Sequence, residues 1–381
     1  MKNKKNPVAL LLAFALLVST VFAAGGDAGD PLVSRDFLSG SYLSDLLSSV
    51  DGKLNSSDSA ILKKARADWE KAVAAAQVTA NSSYCASFKE TRLKQADLLS
   101  GTIGMQIIPM AGDISVSFPS GAVIDVTTGT EVPSGSTLKT NHRYLVAEDT
   151  TAVFTVCSKT AVLNYCGTHH FTYSEWPDYN AMAGALRSLK LLRGTDTAFG
   201  SSYDLEAAPT RIQALIMLIR MLGEEDQALA CTGTHPFVDV PVWENDAANK
   251  YVAYAYEKGY SNGCGQDRYG RDIFGTNIEA SALMYTEFIL RALGYSSTAT
   301  SDISDALVRA RRCGVLTSGE EALLANTRFL RADVVYLSYY ALETSRADAD
   351  RPLHSLLSQA GVFTDSQYHA ARSTGKTDRI A

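Results

Sequence analysis

The sequence predicts an α+β protein of several domains: an N-terminal helical segment, a small antiparallel β-domain and an all-helical C-terminal module. Three observations predict it. Apolar residues recur at three-to-four spacing before residue 100, they alternate with polar ones between residues 101 and 175, and the helical period then returns in self-similar units. A chain of 381 residues is long enough for two or three such cores.

The first element is an export signal. Lys2, Lys4 and Lys5 precede an apolar run from Pro7 to Phe22, and Val21-Phe22-Ala23 has the small-residue pattern of a cleavage site, so residues 1–23 read as a signal peptide. The alternative, an uncleaved anchor, needs roughly 20 apolar residues, more than this run supplies. Removal of the three lysines would move the formal charge from −6 to about −9. An acidic exported chain is poorly suited to nucleic acid, which is recognised by Lys and Arg against phosphate. No partner in the membrane is expected once the signal is gone.

Residues 24–100 read as helical. Phe37 to Val50 is a short apolar helix, Ser57 or Ser59 caps a longer one carrying Ile61, Ala65, Trp69, Ala72, Val73 and Ala76, and Tyr84 to Leu99 supplies a third with a basic surface from Lys89, Arg92 and Lys94. From Gly101 the period becomes two. Ile114, Val116 and Phe118 alternate, as do Ala122, Ile124 and Val126 beyond the Pro119-Ser120-Gly121 turn. Runs at Tyr144–Ala147, Ala152–Cys157 and Ala161–Tyr165 follow. Short strands broken by turn residues predict a β-sandwich or β-roll over residues 101–175.

Three units then follow, over residues 179–234, 235–296 and 297–345, with a tail at 346–381 that is expected to be partly disordered. Each unit reads helix, glycine turn, loop, second helix. The first runs from Leu186 to Gly194, continues through a loop holding Phe199, and opens its second helix at Thr210-Arg211-Ile212-Gln213. Thr210 is placed to satisfy free backbone N–H groups there. The second begins Phe237-Val238-Asp239-Val240 with Trp243 following, turns at Gly259-Tyr260-Ser261-Asn262-Gly263, and ends at Gly294. The third turns at Gly314-Val315-Leu316 and opens its last helix at Leu330-Arg331-Ala332-Asp333.

These residues resemble the S-layer homology family, repeats that attach exported proteins to bacterial cell walls. The family pattern is a Phe-x-Asp-Val start with a following Trp, a glycine turn, an aromatic in the loop, and Thr-Arg-Ala-Glu opening a helix that ends near Leu-Gly. The stretch Phe237 to Val240 with Trp243 matches the start. Thr210 to Gln213 and Leu330 to Asp333 stand at the arginine motif, whereas the second unit has Ser281-Ala282-Leu283-Met284 there and lacks the arginine.

The resemblance covers under half of the chain and implies a pseudo-threefold module that binds a peptidoglycan-linked secondary cell-wall polysaccharide, often pyruvylated, without catalysis. A guanidinium grips a carboxylate with two parallel N–H bonds, so Arg211 and Arg331 are the ligand candidates. Trp243 joins them because flat sugar faces suit aromatic rings. For the arginines the alternatives are ion pairing or packing at the helix start. For Trp243 and Phe237 the alternative is core packing, and Asp239 reads as a turn or cap residue. Gly263, Gly294, Gly314, Gln213 and Asp333 mark the repeat.

No nucleophile elbow, phosphate loop or His-Glu-x-x-His helix is present. Cys157, Cys166, His169 and His170 lack the spacing of a structural zinc site, and Asp267 and Asp272 around Gly270 offer too few oxygens for calcium. No cofactor or metal is expected. Six cysteines are too thinly spread for a disulfide-built scaffold. Cys157 and Cys166, on strands expected to be neighbours, form the candidate pair, with buried free thiols as the alternative. Two other functions stay open: a wall-bound carbohydrate-active enzyme whose paired carboxylates lie in the N-terminal half, and an assembly protein with degenerate repeats capable of self-association.

Overall fold

The computed structural model describes residues 43–44, 83–195, 203–296, 302–375 and 379–381. The expected signal peptide, the two helices between Phe37 and Ala76 (apart from Leu43 and Ser44, which are helical) and Phe199 lie outside them.

The N-terminal part of the described chain is one curled antiparallel sheet of nine strands: β1 (Ser83–Lys94), β2 (Leu98–Gly101), β3 (Gln106–Ala111), β4 (Ile114–Ser117), β5 (Val123–Asp125), β6 (Thr130–Val132), β7 (Tyr144–Val146), β8 (Ala152–Val156) and β9 (Thr160–Thr172). The long β9 is the spine. It pairs with β1, and it also carries β2 and β3. From β2 the sheet continues through β8 to β4, and from β3 through β7 and β5 to β6. The segment after β6 then returns to β4, where Val116 N–H donates to the Ser136 carbonyl and Leu138 N–H to that of Ile114. The curl encloses Leu99, Met105, Ile107, Val116, Phe154 and Leu163.

Three expectations are corrected here. Tyr84 to Leu99 is not a helix. The segment forms β1 and β2, in register with β9 from Ser83 opposite His169 to Lys94 opposite Thr160. Its Lys, Glu and Arg residues favour helix locally, but strand pairing overrides a propensity worth only tenths of a kcal/mol per residue. The inward face of β5 is shifted by one. Val123 and Asp125 are buried while Ile124 is partly exposed, because the Asp125 carboxylate is occupied by His142 at 2.8 Å and the Thr127 and Thr128 N–H groups. Finally, Cys157 and Cys166 are not on neighbouring strands. β2 lies between β8 and β9, and no disulfide joins any of the six cysteines.

The C-terminal part is helical around one core. Its helices are α1 (Tyr179–Ser188), α2 (Arg211–Met221), α3 (Glu225–Leu229), α4 (Ala247–Glu257), α5 (Ala282–Ala292), α6 (Ala306–Arg312), α7 (Ser318–Asn326), α8 (Arg331–Ala341), α9 (Leu353–Gln359) and α10 (Asp365–Thr374). A two-strand hairpin, β10 (Gly265–Gln266) and β11 (Asp272–Ile273), separates α4 from α5. Three helices of eleven residues, α2, α5 and α8, touch one another pairwise at the centre. Around them α4 packs on α2, α6 on α5, and α1 on α8, so the first helix of the module covers the last central one.

One turn recurs six times among the described residues. After α1, α2, α4, α5, α6 and α9 a left-handed residue appears (Lys190, Gly223, Gly259, Gly294, Gly314, Gly361), and the next N–H reaches five residues back: Leu191 to Leu186, Glu224 to Ile219, Tyr260 to Ala255, Tyr295 to Leu290, Val315 to Ala310, Val362 to Leu357. Such a cap fills free end carbonyls, and glycine takes the left-handed position without a Cβ clash. The last copy, at Gly361, lies in the stretch expected to be a partly disordered tail. That expectation is corrected as well. Leu353, Leu357, Phe363, Tyr368 and Ala371 enter the core, and α10 packs on α1.

Candidate functional site at the helix junctions

The three central helices begin alike. Thr210 caps α2 through its hydroxyl on the Gln213 N–H, while the Gln213 side chain returns to the Thr210 N–H. Ser281 caps α5 through the Met284 N–H. At α8 the cap position is Leu330, and the Asp333 carboxylate takes its N–H at 2.8 Å. Each cap fixes the first helical residue, Arg211, Ala282 or Arg331, at a junction with the next unit.

At the first junction Arg211 N–H donates to the Ile278 carbonyl (2.8 Å) and Ile212 N–H to that of Thr276 (3.4 Å), four and six residues before Ala282. At the second, Arg331 N–H donates to Ala207 (2.9 Å) and Ala332 N–H to Leu205 (3.0 Å), four and six residues before Arg211. The register is the same. At the third junction the matching bonds would run from Ala282 to Thr327 and from Leu283 to Ala325, and neither forms among the described residues.

The guanidinium groups follow the same division. Arg211 is 4% exposed and lies between the rings of Phe274 (5.2 Å) and Phe288 (5.0 Å). It donates to the Ser261 hydroxyl at 3.1 Å and the Gly263 carbonyl at 2.9 Å, and its Nε has no hydrogen-bond partner among the described residues. Burial pulls its pKa down to about 10. Arg331 is partly exposed, donates from Nε to the Tyr203 carbonyl at 3.0 Å, and is likewise shifted down by burial, with Asp204 acting in the opposite sense. Neither forms an ion pair among the described residues. By contrast Arg220, Arg291, Arg309, Arg372 and Arg379 each meet a carboxylate at 2.5–2.8 Å. A desolvated cation without an opposite charge is costly, so these two arginines stand apart electrostatically.

The remaining motif residues shape the first junction. The Asp239 carboxylate accepts the N–H groups of Phe274 (2.7 Å), Gly275 (2.8 Å) and Thr276 (3.0 Å), which fixes the loop that meets α2. Phe237 is buried against Phe274 and Tyr256. Gly263 has φ +86°, and a Cβ there would stand 2.5 Å from the Phe237 ring. Trp243 is 39% exposed at the start of a short 3-10 turn, outside the core that is its sequence alternative. Gly294 ends α5 in the left-handed conformation, as Gly314 does for α6.

Neither arginine lines the groove at the third junction. That groove, of about 610 Å³, is lined by Ser281, Ala282, Leu283, Leu307, Leu324 and Phe329 among others. Beside it the turn between β8 and β9 inserts Lys159, whose ammonium meets Thr327 Oγ1 (3.0 Å), the Arg328 carbonyl (3.1 Å) and both Asp333 carboxylate oxygens (2.7 and 2.6 Å). Sequence reasoning missed this contact. Nothing in a lone Lys at a strand turn announces a partner 174 residues away.

Comparison with known proteins finds no family model that matches the chain and no curated protein that matches it.

Proposed function

We propose that the helical part is a pseudo-threefold module of three S-layer-homology-like units, and that the protein is a non-catalytic component of the cell envelope, exported and held on the cell wall through a secondary polysaccharide. The observation that carries the reading is the pair Arg211 and Arg331. They stand at equivalent helix starts, are desolvated, and form no ion pair with a carboxylate among the described residues, Asp239 and Asp204 acting on them only from beyond contact. A sugar acid, such as a pyruvyl ketal, would supply the missing charge and accept the open N–H positions. Arg331 is reachable as it stands. Arg211 is covered, so a ligand reaches it only when the turn at Ser261–Cys264 moves. Trp243 offers an exposed ring suited to a sugar face. Two weak contacts on one rigid module add through avidity.

A second reading is favoured by the bonds themselves. Both guanidiniums donate to carbonyls of an adjoining unit, Gly263 and Tyr203, so they would serve assembly of the module alone. Sedimentation with purified wall sacculi separates the two. Full-length protein carrying Arg211→Ala and Arg331→Ala is expected to stay in the supernatant while keeping its far-UV circular dichroism. Undiminished co-sedimentation of the folded double variant removes both arginines from the site and leaves only the assembly role.

A further inference from the structure

Lys159 belongs to the β-sheet, yet its ammonium is spent on the helical module. Its side chain is 8% exposed and that of Asp333 3%. The four oxygens it meets come from the segment just before α8 and from the first turn of α8. That is the segment which, by the register of the other two junctions, should receive the start of α5. There α5 brings Ala282, without a long side chain and without its two backbone bonds.

We propose that Lys159 braces the third junction: the β8–β9 turn supplies there the cation that Arg211 and Arg331 supply at the other two, and the β-sheet thereby holds the helical ring closed. Three observations converge on it. The cation is needed where the arginine is missing, it is seated on the carbonyl and hydroxyl of the 327–328 segment, and the groove left by the short Ala282 side chain opens directly beside it, with Thr327 and Ala282 both on its wall. Arg328 continues the link with an ion pair to Glu279, on the far side of the same groove, at 3.0 Å. The sheet is therefore a structural part of the ring rather than an appended domain. This assignment is independent of what the module binds.

Hydrogen exchange on the full-length chain tests it. Lys159→Met removes one partner of a buried pair, for which a fall in Tm of about 10 °C is expected. Exchange should quicken at residues 325–333 and 282–284, with residues 205–212 and 276–278 unchanged. Adding Ala282→Arg, whose side chain the groove has room to take, should restore protection at 325–328. Uniform loss of protection, loss confined to the sheet, or no recovery with Ala282→Arg would overturn the proposal. If the Lys159→Met protein is not recovered folded, Lys159→Gln, which keeps N–H donors for Thr327 and Arg328 but removes the cation, reads the same question. Faster exchange at 325–333 with 205–212 and 276–278 unchanged supports the brace, and native exchange at 325–333 contradicts it.

Discussion

The first two junctions of the helical ring and the third are built from the same parts and differ at one side chain. Where an arginine opens the helix, two backbone bonds and a guanidinium seal the contact with the next unit. Where Ala282 opens it, the backbone bonds are absent, a groove remains, and a lysine from another domain occupies the adjoining turn. An arginine at the helix start thus accompanies both the closed junctions and a guanidinium that forms no ion pair among the described residues. On the proposed function, binding energy and junction energy would be drawn from the same two guanidiniums, and substitution should separate them.

The largest effect is expected on binding. Arg331→Ala, at the more exposed site, should weaken sacculus binding by about 10-fold or more, the worth of a charge-assisted hydrogen bond, with little change in Tm. Arg211→Ala should instead destabilise by about 3 kcal/mol, through the cavity between Phe274 and Phe288 and the orphaned Gly263 carbonyl. Denaturant unfolding of the two variants side by side checks the ranking. Equal losses of stability would mean that the difference in burial does not set their roles.

A smaller effect concerns acid sensitivity near the first unit. Burial acts to raise the Glu225 pKa, but the Tyr251 hydroxyl at 2.6 Å and the guanidiniums of Arg220 and Arg193 outweigh it, and the net shift is downward. A carboxylate depressed in the folded state stabilises above its unfolded pKa of about 4.3 and loses that contribution as pH falls through the folded value. Glu225→Gln should therefore lower stability at pH 7 and flatten the acid limb of the stability curve below about pH 5. An acid limb as steep as the native one would place the sensitivity elsewhere.

The smallest effect compares the six helix-ending turns of this kind. Five use glycine, and the first uses Lys190 at φ +64°. Lys190→Gly should raise stability by about 1 kcal/mol, because the left-handed conformation costs a side-chain-bearing residue that much. The same change is conformationally neutral only if this turn is not equivalent to the others.

The sequence made the second helix of the first and third units legible because an arginine follows the cap position directly along the chain. Thr210, Arg211 and Gln213 announce a helix start by local chemistry alone. It did not make the junctions legible, since the carbonyls of Ile278 and Ala207 that receive them carry no side-chain signature. For the same reason β1 was hidden: Lys89, Glu90 and Arg92 read as helix until β9 is placed alongside. The helical tail was hidden differently. Gly361-Val362-Phe363-Thr364 repeats the turn of Gly314-Val315-Leu316-Thr317, a signal present in the chain but beyond the end of the third unit. Lys159 had no local signal at all.

The proposed function requires the module to carry an acidic wall polymer on Arg211 and Arg331, which form no ion pair among the described residues. Sedimentation of the full-length protein with walls, before and after their accessory polysaccharide is stripped by mild acid, tests it most directly. Retention on intact walls and release from stripped ones is the expected result, while equal recovery with both would contradict it.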